Sequence, residues 1–258
     1  MITDPLFYLC AIPAILLFAM AKGGLGAGLG LLSVPLMSLV ISPVQAAAIM
    51  LPLLVVMDAA AIWSFRGQWN MEQIKIMLPG ALLGVIVGTF TFQYMSDDAI
   101  KILIAVIALT FSGNHYRKQY LLKKNASEAP PAQPDMIKGR FWGAVSGFTS
   151  FGIHAGGAPA SVYLLPLKME KKMLMATFAI FFGVVNIAKV IAYGWLGQLQ
   201  SNLLTSLVLL PFAPLGVKTG YFLLHKISEK LIYQISYLSL TVLGGKLLIE
   251  GVSGLLAG

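Results

Sequence analysis

Apolar residues gather in ten stretches along this chain, over residues 5–21, 24–41, 44–65, 74–95, 99–116, 141–153, 156–167, 173–197, 203–225 and 231–250. Few folds are open to such a pattern. In hydrocarbon every backbone N–H and C=O must be satisfied within the protein, so only helices and closed barrels span a bilayer. The stretches have helical length and lack the ten-residue alternation of barrel strands, which predicts an all-α integral membrane protein. Composition agrees: charged residues make up 11% of the chain, against about 25% in soluble domains, and the mean hydropathy is +0.83. Asp4 precedes the first stretch with no basic residue before it, unlike a cleavable signal peptide, so that stretch is expected to remain.

Two stretches are interrupted by glycine and proline at corresponding places. Gly26-Ala27-Gly28-Leu29-Gly30-Leu31-Leu32-Ser33-Val34-Pro35-Leu36 has a loose counterpart 131 residues later in Gly157-Ala158-Pro159-Ala160-Ser161-Val162-Tyr163-Leu164-Leu165-Pro166-Leu167. Downstream, Asp58 falls opposite Asn186, and Pro79, Gly84, Gly88, Ser96 and Gly113 fall opposite Pro211, Gly216, Gly220, Ser228 and Gly245 at a spacing of 132. This reads as an old duplication. It divides the chain into a first transmembrane repeat (1–116), a polar, proline-containing linker (117–140) and a second repeat (141–258), each repeat with five segments.

Because Lys and Arg collect in cytoplasmic loops, the linker, with Arg117, Lys118, Lys123, Lys124, Lys138 and Arg140, is placed inside. Arg66 and Lys75 then fall inside and Asp97 and Asp98 outside; Lys168, Lys171 and Lys172 fall inside, and the uncharged turn at Gln198–Asn202 outside. Corresponding loops carry opposite character, so the two repeats are expected to be inverted. Stretches 141–153 and 156–167 hold about a dozen residues each, or roughly 18 Å as helix, short of a hydrocarbon core of about 30 Å. Each half is therefore expected to contain a broken or re-entrant hairpin, with both breaks near the bilayer centre, the arrangement that marks transport sites in repeat-built carriers.

Other classes find little support. Cys10 is the sole cysteine, and His115, His154 and His225 are scattered, so neither a metal site nor a cofactor motif is expected. Gly24-Leu25-Gly26-Ala27-Gly28 satisfies no nucleotide-loop pattern. The net charge of +8 is accounted for by the topology of the loops, not by nucleic acid.

A helix that begins at mid-membrane points unpaired N–H groups and its positive dipole end into the cavity, and glycine lets an anion approach the backbone. This makes Gly24, Gly26, Gly28, Gly156 and Gly157 candidate anion-binding positions. The pairs Gly84/Gly88 and Gly216/Gly220 read better as helix-packing surfaces of small-xxx-small type. Ionisable residues inside spans are costly and so are functional candidates. Lys189 lies deep in its stretch, with Asn186 and Tyr193 on the same face. Lys218 and Lys246 lie nearer segment ends and read as snorkelling. Asp58 is open to three roles: pairing with a lysine, carrying a proton, or bonding to broken backbone. Lys22 either flanks the first break or snorkels, and His154 is structural or faces substrate.

With the glycine-rich break, its second-half partner, the Asn186-x-x-Lys189-x-x-x-Tyr193 string and the Pro79/Gly84/Gly88 pattern in view, the chain resembles the sulfite exporter TauE/SafE family from about residue 7 to residue 250. The resemblance implies a multi-pass permease of the cell inner membrane for sulfite, sulfonates or related sulfur-containing anions. Combined with the residues above, it leads to an expected carrier that works by alternating access. Backbone amides at the two breaks would cradle the anion, Lys189 would supply charge, Asn186, Tyr193 and His154 would orient the substrate, and Asp58 is the candidate for proton coupling. The partners expected are a small anion and the lipid bilayer. Rival readings are an anion channel, a carrier of a non-sulfur organic anion, and, with less support, a membrane-embedded enzyme.

Overall fold

The computed structural model describes residues 2–25, 27–124, 131–223, 226 and 229–257. Gly26, His225 and Ser228 lie outside them. Among the described residues the chain is helical, without strands: α1 (Pro5–Met20), α2 (Ala27–Gly30), α3 (Ser33–Met37), α4 (Pro43–Ser64), α5 (Met71–Phe92), α6 (Asp97–Lys124), α7 (Met136–Ile153), α8 (Gly157–Leu164), α9 (Lys171–Trp195), α10 (Leu203–Leu209), α11 (Phe212–Leu223) and α12 (Glu229–Ala257).

The helices begin where short polar side chains can take up orphaned backbone donors. Asp4 accepts from Leu6 N ahead of α1, Ser42 from Gln45 N ahead of α4, and Asn70 from Gln73 N ahead of α5. Pro5 and Pro43 occupy the first helical positions, where no donor is needed. Asp135 caps α7 by accepting from Ile137 N and Lys138 N, and these backbone donors, Lys138 first, hold its carboxyl below the usual range.

Of the ten expected segments, five form helices long and apolar enough to cross a membrane among the described residues: α1 with the turn that follows it (Pro5–Leu25), α4, α5, α6 as far as Arg117, and α9. A sixth results if α10 and α11, bent by 41°, count as one span. The expected stretch 24–41 is instead divided between α2 and α3, and 156–167 forms α8 and a closing 3-10 turn. Helix α7 has 18 residues, about 27 Å at helical rise, because it starts at Met136 and not at 141. Its first turns carry Lys138 and Arg140, which an apolar pattern does not register. Likewise α6 continues to Lys124, so the polar stretch 117–140 is helical at both ends.

Glycines set the closest helix contacts. On α5, a Cβ at Gly80 would overlap the Arg140 carbonyl oxygen and one at Gly84 that of Ala144; on α7, one at Gly143 would overlap Met77 O and one at Gly147 Ala81 O. The residue numbers rise together on both helices, so α5 and α7 run parallel. Helices α1 and α11 meet in the same way: Gly216 packs on Ala19 and Leu16, Gly220 on Met20, and Gly23 on the Val217 carbonyl. The packing role expected for Gly84/Gly88 and Gly216/Gly220 is what the structure shows, Gly88 lying against Phe151. Two further contacts are antiparallel. Helices α4 and α9 pair Asp58 with Asn186 and Ile62 with Gly183, while α6 and α12 pair Ile102 with Gly251 and Ala108 with Gly244. The short helices that follow the two breaks, α2 and α8, touch each other.

Candidate functional site

At the first break α1 widens into a π-type turn over Ala21–Leu25, where Gly24 takes φ 132°, a conformation that favours glycine. The second break follows His154, which caps α7 in the left-handed region at φ 55°. Glycine is the usual residue at such a cap. A histidine there places an imidazole at the point where the helix stops.

Between these breaks, α4 and α9 hold a buried polar cluster. Asp58 Oδ1 accepts from the Lys22 ammonium, and Asp58 Oδ2 accepts from Asn186 Nδ2 at 2.6 Å. With one amide hydrogen on Asp58, Asn186 offers Oδ1 to Lys189 Nζ at 3.1 Å. Lys189 Nζ also lies 3.2 Å from Ser150 Oγ and 2.6 Å from His154 Nδ1. Three acceptors around one nitrogen match the three donors of an ammonium. His154 Nε2 sits 2.9 Å from the Ala47 carbonyl oxygen, and Nδ1 lies 3.1 Å from the Ser150 carbonyl oxygen as well as 2.6 Å from Lys189 Nζ. With Lys189 donating to Nδ1, the single ring proton of a neutral imidazole is on Nε2, facing Ala47. Of the three roles open to Asp58, pairing with a lysine is the one seen.

The cluster borders a cavity of about 70 Å³, space for roughly five water molecules at 10–15 Å³ each. Asp58, Asn186, His154, Ser150 and Lys22 supply its polar wall; Phe18, Leu31, Leu54, Met175, Phe178 and Phe182 supply most of the rest. Lys22 reaches this wall with its ammonium 5.7 Å from the ring centroids of both Phe18 and Phe182. Its side chain is 12% exposed, whereas Lys189 is fully buried. The wall draws on the C-terminal half of α4 and the N-terminal half of α9, toward the end of the molecule that carries Arg66 and Lys172. The opposite end is tied by Gln45 Nε2 donating to Asn202 Oδ1 at 3.2 Å, Ser206 Oγ to Ile49 O at 2.8 Å and Ile2 N to Thr205 Oγ1 at 3.1 Å.

The expected site residues are thus brought together in part. His154, Asn186, Gly157 and Asp58 line the cavity. Lys189 stands behind it with its donors committed. Tyr193 is buried and donates to the Phe151 carbonyl at 2.6 Å, away from the wall. Gly156 is a packing position, where a Cβ would press on Ser146 O and Ser150. Gly24 is buried in the π-type turn, Gly28 lies in α2, and the first break contributes Lys22, Gly30 and Leu31 to the wall. Of the two readings open to Lys22, flanking the first break is the one seen, and the residue that sequence reasoning passed over is Ser150. The signal for Lys22 was there: a lysine next to Gly23-Gly24, and an acidic Asp58 in need of a partner. Lys218 and Lys246 are exposed as expected, Lys246 lying 3.5 Å from Glu250. Among the described residues no group of His, Cys, Asp and Glu could hold a metal ion.

Buried cations beside a small cavity in a multi-pass helical bundle belong to a permease more readily than to a lipid-facing scaffold. Neither the curated proteins nor the solved structures searched contain a match to the chain. Comparison with known families does give one, over residues 11–247, nearly the whole chain and both breaks, and by it this membrane permease belongs to the sulfite exporter TauE/SafE family.

Proposed function

We propose that the protein is a secondary carrier that moves a small sulfur oxyanion, sulfite or a short organosulfonate, across the cell inner membrane by alternating access. One observation carries this reading: Lys22 at the cavity wall pairs with Asp58, while Lys189, joined to that carboxylate only through the Asn186 amide, has no carboxylate of its own, so that with both lysines protonated the cluster carries a formal charge of +1. A lone buried charge is expensive. A monoanion in the cavity supplies the missing partner, and Lys22 is the cation it reaches.

The packing supports a two-repeat carrier, residues 1–116 and 141–258 joined by 117–140. Exchanging the halves turns the α1–α11 contact into α7–α5, both parallel, and maps α4–α9 and α6–α12 onto themselves. Partners related in this way run antiparallel, as an inverted repeat requires. Residues 45 and 202 and residues 70 and 177 form another exchanged pair: Gln45 bonds to Asn202, and Asn70 N donates to Thr177 Oγ1 at 3.0 Å. With the linker inside, the cavity lies toward the cytoplasm and the Gln45–Asn202 end is closed. Asp58 is assigned as the internal counter-ion of Lys22.

The test is sulfite and methanesulfonate flux in proteoliposomes, with thermal stabilisation of the purified protein as the binding readout. Saturable flux and ligand-dependent stabilisation are expected, both lost in the charge-balanced Lys22→Gln/Asp58→Asn double variant while its unliganded Tm stays near wild type. A non-saturating current would assign a channel, and stabilisation by carboxylates alone would remove the sulfur oxyanion.

A further inference from the structure

We propose that the cavity selects monoanions with a short uncharged tail and rejects sulfonates that also carry an amine or a second acid. The inference rests on the carrier reading above and adds which sulfur anions can enter. The donors and acceptors of the wall decide it. Lys189 spends three donors on Ser150, His154 and Asn186, and Asn186 gives one of its two amide hydrogens to Asp58 and accepts from Lys189 on Oδ1. His154 is held between Ala47 O and Lys189. What remains among these side chains for a ligand head group is one cation, Lys22, with one of its donors on Asp58, and two neutral donors, the second amide hydrogen of Asn186 and the Ser150 hydroxyl proton. One anionic group can therefore be bound.

The tail meets a different surface. Beyond the head-group position the wall offers Leu31, Leu54, Met175 and Phe178, which carry no donor or acceptor. A ligand ammonium would have only Asp58 to turn to, and there it would face Lys22 on one oxygen and the Asn186–Lys189 pair on the other. The Phe18 and Phe182 rings, which could attract a cation, already flank the Lys22 ammonium. Phe178 stacks on Phe182 with centroids 6.1 Å apart and an interplanar angle of 14°. A carboxylate on the tail fares no better. The single surplus charge is neutralised by the head group, so the second acid would be buried without a partner. Discrimination against the wrong tail is thus built from missing partners and like-charge repulsion.

The experiment compares ethanesulfonate with 2-aminoethanesulfonate and sulfoacetate, ligands of two-carbon length that differ in tail charge, with sulfite and methanesulfonate as references. Binding to the purified full-length protein is read by thermal shift and titration, and uptake in proteoliposomes. Ethanesulfonate is expected to bind at least tenfold more tightly than either charged-tail ligand. A second arm places an acceptor on the tail wall with Leu54→Asp, which should raise the affinity for 2-aminoethanesulfonate relative to ethanesulfonate by at least tenfold. Equal binding of ethanesulfonate and 2-aminoethanesulfonate by the wild-type protein overturns the inference and leaves the carrier reading standing. No binding of any sulfur oxyanion, sulfite included, overturns the carrier reading itself.

Discussion

In the proposed site Lys189 and Lys22 divide one task between them, and the division follows from how many hydrogen bonds each has left. Lys189, fully buried with three acceptors, sets the potential of the site; Lys22, at the wall with its carboxylate partner, can exchange contacts. Lys189→Met should therefore abolish uptake and, because it strands the Asn186, Ser150 and His154 acceptors, lower the Tm, at about 1–3 kcal/mol for a buried polar group left unsatisfied. Asp58→Asn acts the other way: two ammonium groups then lack a carboxylate, so the anion should bind at least tenfold more tightly and turn over more slowly. Unchanged affinity with loss of acid-stimulated uptake alone would instead make Asp58 a proton carrier. Much of this cluster was legible in the sequence. Asp58, Asn186, Lys189 and His154 stand out as polar residues in apolar stretches, and they do meet. Lys22 was not separable from a snorkelling lysine, because position near the end of a stretch gives depth and says nothing of the direction a side chain takes. Tyr193 lies apart from the cavity for the complementary reason: it shares a helix face with Lys189, yet one turn further along that face meets the Phe151 carbonyl.

Helix lengths and contacts were read with uneven success, and the failures share a cause. Hydropathy marks where a helix is apolar, so it missed the charged first turns of α7 and the extension of α6 to Lys124. It likewise could not tell that 24–41 holds two short helices, since the break is a backbone event carried by glycine. Small-xxx-small spacing, in contrast, identified the packing surfaces, because only glycine allows a carbonyl of the facing helix so close. Gly84→Ala places a methyl group on the Ala144 carbonyl and should cost about 1–3 kcal/mol as overpacking does; Gly113→Ala, with nothing within 4 Å of the new Cβ, should not lower Tm. The Asp135 cap gives a pH signature. Its carboxyl titrates below the ordinary range in the folded protein, so its contribution is present above that range and fades as pH falls through the depressed value. In Asp135→Asn the acid-side loss of stability should be smaller, measured by thermal unfolding between neutral pH and pH 3.

The whole molecule adds what no single stretch contains, namely which helices become neighbours and in which sense they run. A constant spacing of 132 hinted at two related halves, and loop charges hinted at their inversion. In the proposed two-repeat carrier the exchange of α1–α11 for α7–α5 is the spatial counterpart, and it depends on contacts between residues far apart in the chain. Topology can be tested directly: Asp97→Cys should react with an impermeant thiol reagent from outside the cell and Lys171→Cys only from the cytoplasmic side. Labelling of both from one side would contradict the inversion. A crosslink between Gln45→Cys and Asn202→Cys should hold the far end shut and stop flux until it is reversed. The surplus positive charge of the proposed site has a further bearing, on voltage. An empty carrier of this kind is charged and a monoanion-loaded one is neutral, so a membrane potential acts on the return stroke alone, with about 2.3 kcal/mol available per charge per 100 mV. With the cytoplasm negative, the field draws the vacant site inward, where it waits for cytoplasmic cargo, and the protein becomes a rectifier whose preferred direction is set by one uncancelled lysine.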